Sequence, residues 1–154
     1  MKQQWEAIKA AERAGRAQHG ALDDVPVALP ALPRAQKVQK RAARVGFDWA
    51  DADAVMEKLD EELGELRAAL ASREAAAIEE EIGDLLFTAV NLARHHRLDA
   101  ERTLRRATHK FETRFRHMEN DAERAGDALG ELSSEELEAR WRAAKAAVRA
   151  LGSG

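Results

Sequence analysis

Val55, Leu59, Leu63, Leu66 and Leu70 recur at steps of three and four residues, the repeat that lines one face of an α-helix. Patterns of this kind, read with their Pro, Gly and capping residues, predict six helices. A short amphipathic helix spans residues 3–18 and ends at His19-Gly20. The stretch 20–33 carries all three prolines and reads as a linker or arm. Pro33 opens a second helix that stops at Gly46. Asp51 or Asp53 caps a third helix reaching about Ala71, and Ser72-Arg73 turns the chain into a fourth from about Glu74 to His96. So short a connection makes the third and fourth helices antiparallel neighbours. Asp99 caps a fifth helix to about Ala125, and Ser133 with Glu136 has capping-box spacing for a sixth ending near Leu151.

Polar positions on the helix hairpin depart from an ordinary solvated face. Ten acidic residues lie between Glu57 and Asp84, against the three basic residues Lys58, Arg67 and Arg73. At about 100° per residue, Glu81, Asp84, Thr88 and Asn91 share one side of the fourth helix, flanked by Leu85, Leu92, Phe87 and Val90. Glu62 and Glu65, three apart, border the leucine stripe of the third helix. Two carboxylate pairs thus face each other across the hairpin. Burying such charges unpaired costs several kcal/mol each by order of magnitude, a cost that a divalent cation removes. An all-oxygen set of Glu62, Glu65, Glu81 and Asp84 suits Mg²⁺, with Mn²⁺ as a possible substitute. A di-iron site would want histidine three residues after a glutamate, and neither Glu62 nor Glu81 has one. His95 and His96 are read as partners of the helix C-terminus.

Composition narrows the picture. The 33 alanines, against 14 Val, Ile and Thr together, favour an all-α fold. With no cysteine, a disulfide framework, a thiolate metal site and a cysteine nucleophile are excluded. A net charge of −3 argues against general nucleic-acid binding. No apolar run long enough for a membrane span or a secretory signal is present, so a cytoplasmic location without membrane partners is expected. Mg²⁺ that keeps its waters usually works with phosphate, and the fifth helix offers the matching cations. Lys110 and Arg114 stand four apart, with Arg106 a turn earlier, and read as a phosphate clamp. Glu61 reads as a general base, an outer-shell partner or a solvated residue, Asn91 as a hydrogen-bond partner of substrate, and Trp49 and Trp141 suit either a core or a stacking role.

The run Lys58-Leu59-Asp60-Glu61-Glu62-Leu63-Gly64-Glu65, followed by Glu81-Ile82-Gly83-Asp84, has the form E-E-x-x-E, a spacer, then E-x-x-D. This resembles the MazG family of nucleoside triphosphate pyrophosphohydrolases, within the all-α NTP pyrophosphatase superfamily. Residues 41–49, 83–87, 90–94 and 110–115 also look like MazG, and the likeness covers roughly residues 22 to 145. It implies Mg²⁺-dependent hydrolysis of a nucleoside triphosphate between its α and β phosphates, giving the monophosphate and pyrophosphate. It further implies that Glu62, Glu65, Glu81 and Asp84 carry the metal, that Lys58, Lys110 and Arg114 contact phosphate, and that Trp141 contacts substrate. MazG proteins commonly carry two such domains, and this chain resembles the second, catalytic one. Residues 1–33 then form an N-terminal helix and arm, and residues 34–151 the catalytic helical domain.

Phe87, Val90 and Leu86 lie outside the main stripe of the fourth helix, more apolar perimeter than one partner helix covers. A homodimer built on a four-helix bundle is therefore expected. Two other readings compete. One is a non-catalytic interaction module whose acidic hairpin binds a basic partner; the other is a nucleic-acid binder using the basic second helix. Replacing Glu62 by Gln is expected to abolish metal binding and, by relieving repulsion, to stabilise the metal-free protein.

Overall fold

The computed structural model describes residues 2–15 and 20–152. Among them are six α-helices and no β-strand: α1 (Lys2–Gly15), α2 (Ala31–Arg44), α3 (Ala52–Ser72), α4 (Ala75–His95), α5 (Ala100–Arg124) and α6 (Ser134–Leu151), with one 3-10 turn at Leu129–Glu131. The expected end of the first helix, residues 16–18 and His19, lies outside the described residues. No helix among the described residues is long and apolar enough to cross a membrane.

Local chemistry accounts for most helix ends. Asp51 is the N-cap of α3, its side chain accepting from the Ala54 N–H at 2.8 Å, so the choice between Asp51 and Asp53 falls on the former. Ser133 and Glu136 form the reciprocal capping box of α6, and the bonds from Ser133 hold the Glu136 carboxyl below its usual range. At the end of α2 the Gly46 N–H donates to Ala43 O and the Phe47 N–H to Ala42 O, with Gly46 at φ +90. This is a Schellman cap, repeated after α5 by Gly126. After α4 the left-handed position is filled by Arg97 at φ 59, a residue that gives no glycine-like signal. The second helix starts two residues before Pro33, because the first-turn N–H groups lack intrahelical partners and a proline is tolerated there.

The chain divides into two compact units between Glu101 and Arg102. In the first, α3 and α4 pack along each other and α2 packs on α4. Gln39 of α2 is buried and its Nε2 donates to Phe87 O at 2.8 Å, while Gln36 bonds both Leu98 O and the Ala100 N–H at the start of α5. The arm is tied down by a bidentate Arg41–Asp24 pair beside the buried Val25. α4 has two partners, α3 and α2, and Val90 is buried at 4% exposure, while Leu86 and Phe87 stay exposed. In the second unit, α5 and α6 meet through Phe111 and Trp141, whose ring centroids are 5.3 Å apart, with Phe115 stacked on Phe111.

Candidate metal centre

α3 and α4 bring three of the four expected carboxylates together. One oxygen from each of Glu62, Glu81 and Asp84 lies within 4.8 Å of the others. Glu62 is buried, Glu81 half-buried and Asp84 exposed, so the cluster opens from the helix interface toward solvent. Glu65 is exposed and outside this trio, yet close enough that its charge pushes the Glu81 carboxyl up. Desolvation is the larger cause of that rise, and Glu62, Asp84 and Glu80 add to it. One oxygen of Glu62 and one of Glu81 are buried without any hydrogen-bond partner. Buried carboxylate oxygens with nothing to accept from are costly, and a cation ligated at this cluster would satisfy both. The donor set is all oxygen, which fits a hard divalent ion.

Lys58 is the one cation paired directly with the trio among the described residues. Its Nζ lies 2.7 Å from Glu62 Oε1 and 3.3 Å from Glu61 Oε1, and the bond to Glu62 leads the causes that push its pKa up to about 12. The expectation that Glu62→Gln relieves pure repulsion is therefore corrected, since Glu62 already holds a cation. Relief of repulsion belongs instead to Glu81, whose neighbours are carboxylates. Glu61 is more than half exposed and is held beside Glu62 through their common partner Lys58.

Asn91 is almost fully buried at 1% exposure, and its Oδ1 accepts from Arg94 Nε and Nη2 at 2.9 and 2.7 Å. Its carbonyl is thus committed inside the protein. Periodicity placed Asn91 on the right face but carried no sign of this partner. Lys110 and Arg114 stand on α5 in the second unit, the first exposed, the second half-buried with its Nε unpartnered. Trp141 of α6 lines an open apolar pocket of about 500 Å³ with Phe111, Phe115, Met118, Leu129 and Leu137. Sequence reasoning missed Asp48, which gathers Arg94, His95 and the Trp49 N–H; contacts 46 and 47 residues apart leave no trace in local spacing. His95, read as a helix-end partner, is instead 3.0 Å from Asp48 Oδ1.

Comparison with known proteins gives the following matches. Residues 51–119 match the MazG nucleotide pyrophosphohydrolase domain. The chain is 49% identical over 143 residues to the nucleoside triphosphate pyrophosphohydrolase of Escherichia coli K12, a match covering 92% of this chain and 54% of that protein. Against the nucleoside triphosphate pyrophosphohydrolase/pyrophosphatase MazG of Thermotoga maritima it is 46% identical, with the same shares covered. The uncharacterized protein YabN of Bacillus subtilis is 38% identical over 94% of this chain and 30% of its own length. This chain therefore spans about half the length of the two curated pyrophosphohydrolases it matches. The segment that matches the MazG nucleotide pyrophosphohydrolase domain, 51–119, holds all four candidate carboxylates, and the likeness to the two MazG-type relatives runs over 92% of this chain.

Proposed function

We propose that this chain hydrolyses nucleoside triphosphates between the α and β phosphates, releasing the monophosphate and pyrophosphate. The observation that carries the reading is the pair of buried, partnerless oxygens on Glu62 and Glu81 beside Asp84. Glu62, Glu81 and Asp84, with Glu65 at the margin, would hold Mg²⁺ or Mn²⁺ on an antiparallel α3–α4 hairpin. When bound, the ion supplies charge neutralisation to the phosphates and lowers the pKa of water. The protein's own groups do the rest. Lys58 holds Glu62 in place through its 2.7 Å bond. Glu61 takes the proton of the attacking water as the bridging bond between the α and β phosphates breaks. In the second unit, the family resemblance assigns Lys110 and Arg114 to phosphate contact and Trp141 to substrate contact. The active species is a homodimer, since Leu70, Ile82, Leu86 and Phe87 of the α3–α4 pair remain exposed in one chain.

The Escherichia coli and Thermotoga maritima relatives are both nucleoside triphosphate pyrophosphohydrolases, which supports the substrate class. Incubation with ATP and Mg²⁺, followed by separation of products, tests the proposal. AMP and pyrophosphate without ADP are expected. ADP and orthophosphate would overturn it, as would turnover unaffected by removing divalent ions.

A further inference from the structure

The polar face of α4 continues past Asp84. Thr88 and Asn91 extend it at steps of four and three residues, and both are buried. Asn91 lies about 10 Å beyond Asp84 by the rise of an α-helix. There it holds Arg94, which donates to both oxygens of Asp48, Nη1 to Oδ2 at 3.0 Å. His95 Nε2 and the Trp49 N–H close on Asp48 Oδ1 at 3.0 and 2.9 Å. The Arg94 and His95 side chains are only 12% and 11% exposed.

These groups secure a short segment that hides little. Its other side is fixed by the Schellman cap of α2, in which the Phe47 N–H bonds Ala42 O at 3.1 Å. Between the two anchors the Phe47 side chain stands 75% exposed, and Trp49 is half-buried. Core packing does not require a nearly buried guanidinium to hold an aromatic ring out in water. A planar ligand does benefit, because an aromatic face fixed in advance stacks without loss of conformational entropy. Through Asn91 and Arg94 the segment is tied to the same stripe of α4 that carries Glu81 and Asp84, about two helical turns further on.

We propose that Arg94 is a positioning residue which, through Asp48, holds Phe47–Trp49 as the wall against which the nucleoside end of a triphosphate rests. This inference rests on the triphosphate reading of the carboxylate centre. The expected signature is a loss of substrate affinity with the chemical step intact. Arg94→Lys keeps a cation but not the planar fork that spans Asn91 and Asp48. It should raise KM for ATP about tenfold or more, leave kcat within about threefold, and leave the affinity for Mg²⁺ alone unchanged. Phe47→Ala removes an exposed ring that the fold does not need and should raise KM in the same way, while Phe47→Trp restores it. Sedimentation of each variant at assay concentration should match the parent. If the parent turns over ATP and both Arg94→Lys and Phe47→Ala keep its KM, the wall does not exist. A fall in kcat at constant KM also overturns the inference, and altered sedimentation with constant KM assigns the segment to a subunit contact instead. Failure of the parent itself to release pyrophosphate overturns the underlying reading, and is read before any variant is compared.

Discussion

The two ends of the polar stripe on α4 are built from similar material and finished in opposite ways. At Asn91–His95 nearly every group has found a partner inside the chain: Asn91 Oδ1 takes Arg94, Arg94 takes Asp48, and Asp48 takes His95 and a backbone N–H as well. At Glu81–Asp84 the carboxylates face one another and Glu62, and two buried oxygens have no donor. The electrostatics follow the same division. Arg94 holds the Asp48 carboxyl below its usual range, whereas burial and neighbouring carboxylates push Glu81 up. A satisfied polar cluster fixes backbone; an unsatisfied one is completed from outside. Satisfaction, more than the number of charges, separates a structural cluster from a site.

Four changes break or sharpen this contrast. The largest effect is expected from Glu62→Gln, which removes a proposed ligand and leaves Lys58 without its closest partner. Turnover should fall about a hundredfold or more, and the metal-free protein should not gain stability, in steady-state kinetics and thermal melts. At the satisfied end, Arg94→Ala leaves the Asn91 carbonyl and Asp48 without their donor in a largely buried setting. A loss of about 2–3 kcal/mol in urea unfolding is expected, with Mg²⁺ affinity retained.

The two ends should also respond oppositely to acid. Asp48, lowered in the folded state, contributes stability that is complete above its unfolded value near 3.8 and lost as pH falls through the lower folded value. Glu81, raised in the folded state, takes up a proton more readily than a free glutamate and sets that proton against the cation. Mg²⁺ affinity in calorimetry should therefore fall with acidification at a higher pH than for a free glutamate, while the Asp48 contribution is lost only at lower pH. The smallest effect lies outside both ends: Ser133→Ala removes one half of the α6 capping box and should cost about 1 kcal/mol in unfolding without altering kinetics.

What the sequence disclosed follows the range of the interactions involved. Capping at Asp51 and Ser133, and the Gly46 and Gly126 turns, depend on residues within five positions, and those helix ends were legible. The turn at Arg97 was not, because a left-handed arginine looks like any other. Glu62, Glu81 and Asp84 were legible because helical spacing and a two-residue connection between α3 and α4 bring them to one place. The hold of Lys58 on Glu62 was a choice among several i+3 and i+4 partners that spacing alone does not make. Asp48 was out of reach, since its role comes from a helix end 46 residues away. The need of α4 for more than one partner was legible in its apolar perimeter, but that α2 is the second partner was not, because a single-helix projection does not say which helix packs there.

The central claim is that the α3–α4 carboxylates are an unfinished coordination shell. Calorimetric titration of Mg²⁺ into the parent and into Glu81→Gln at neutral pH, each paired with a metal-free thermal melt, tests it most directly. The account predicts that the parent binds Mg²⁺, that Glu81→Gln loses at least about tenfold in affinity, and that its metal-free melting temperature rises as a repelling charge disappears. Equal Mg²⁺ affinity in the two proteins, or no binding in either, would contradict it.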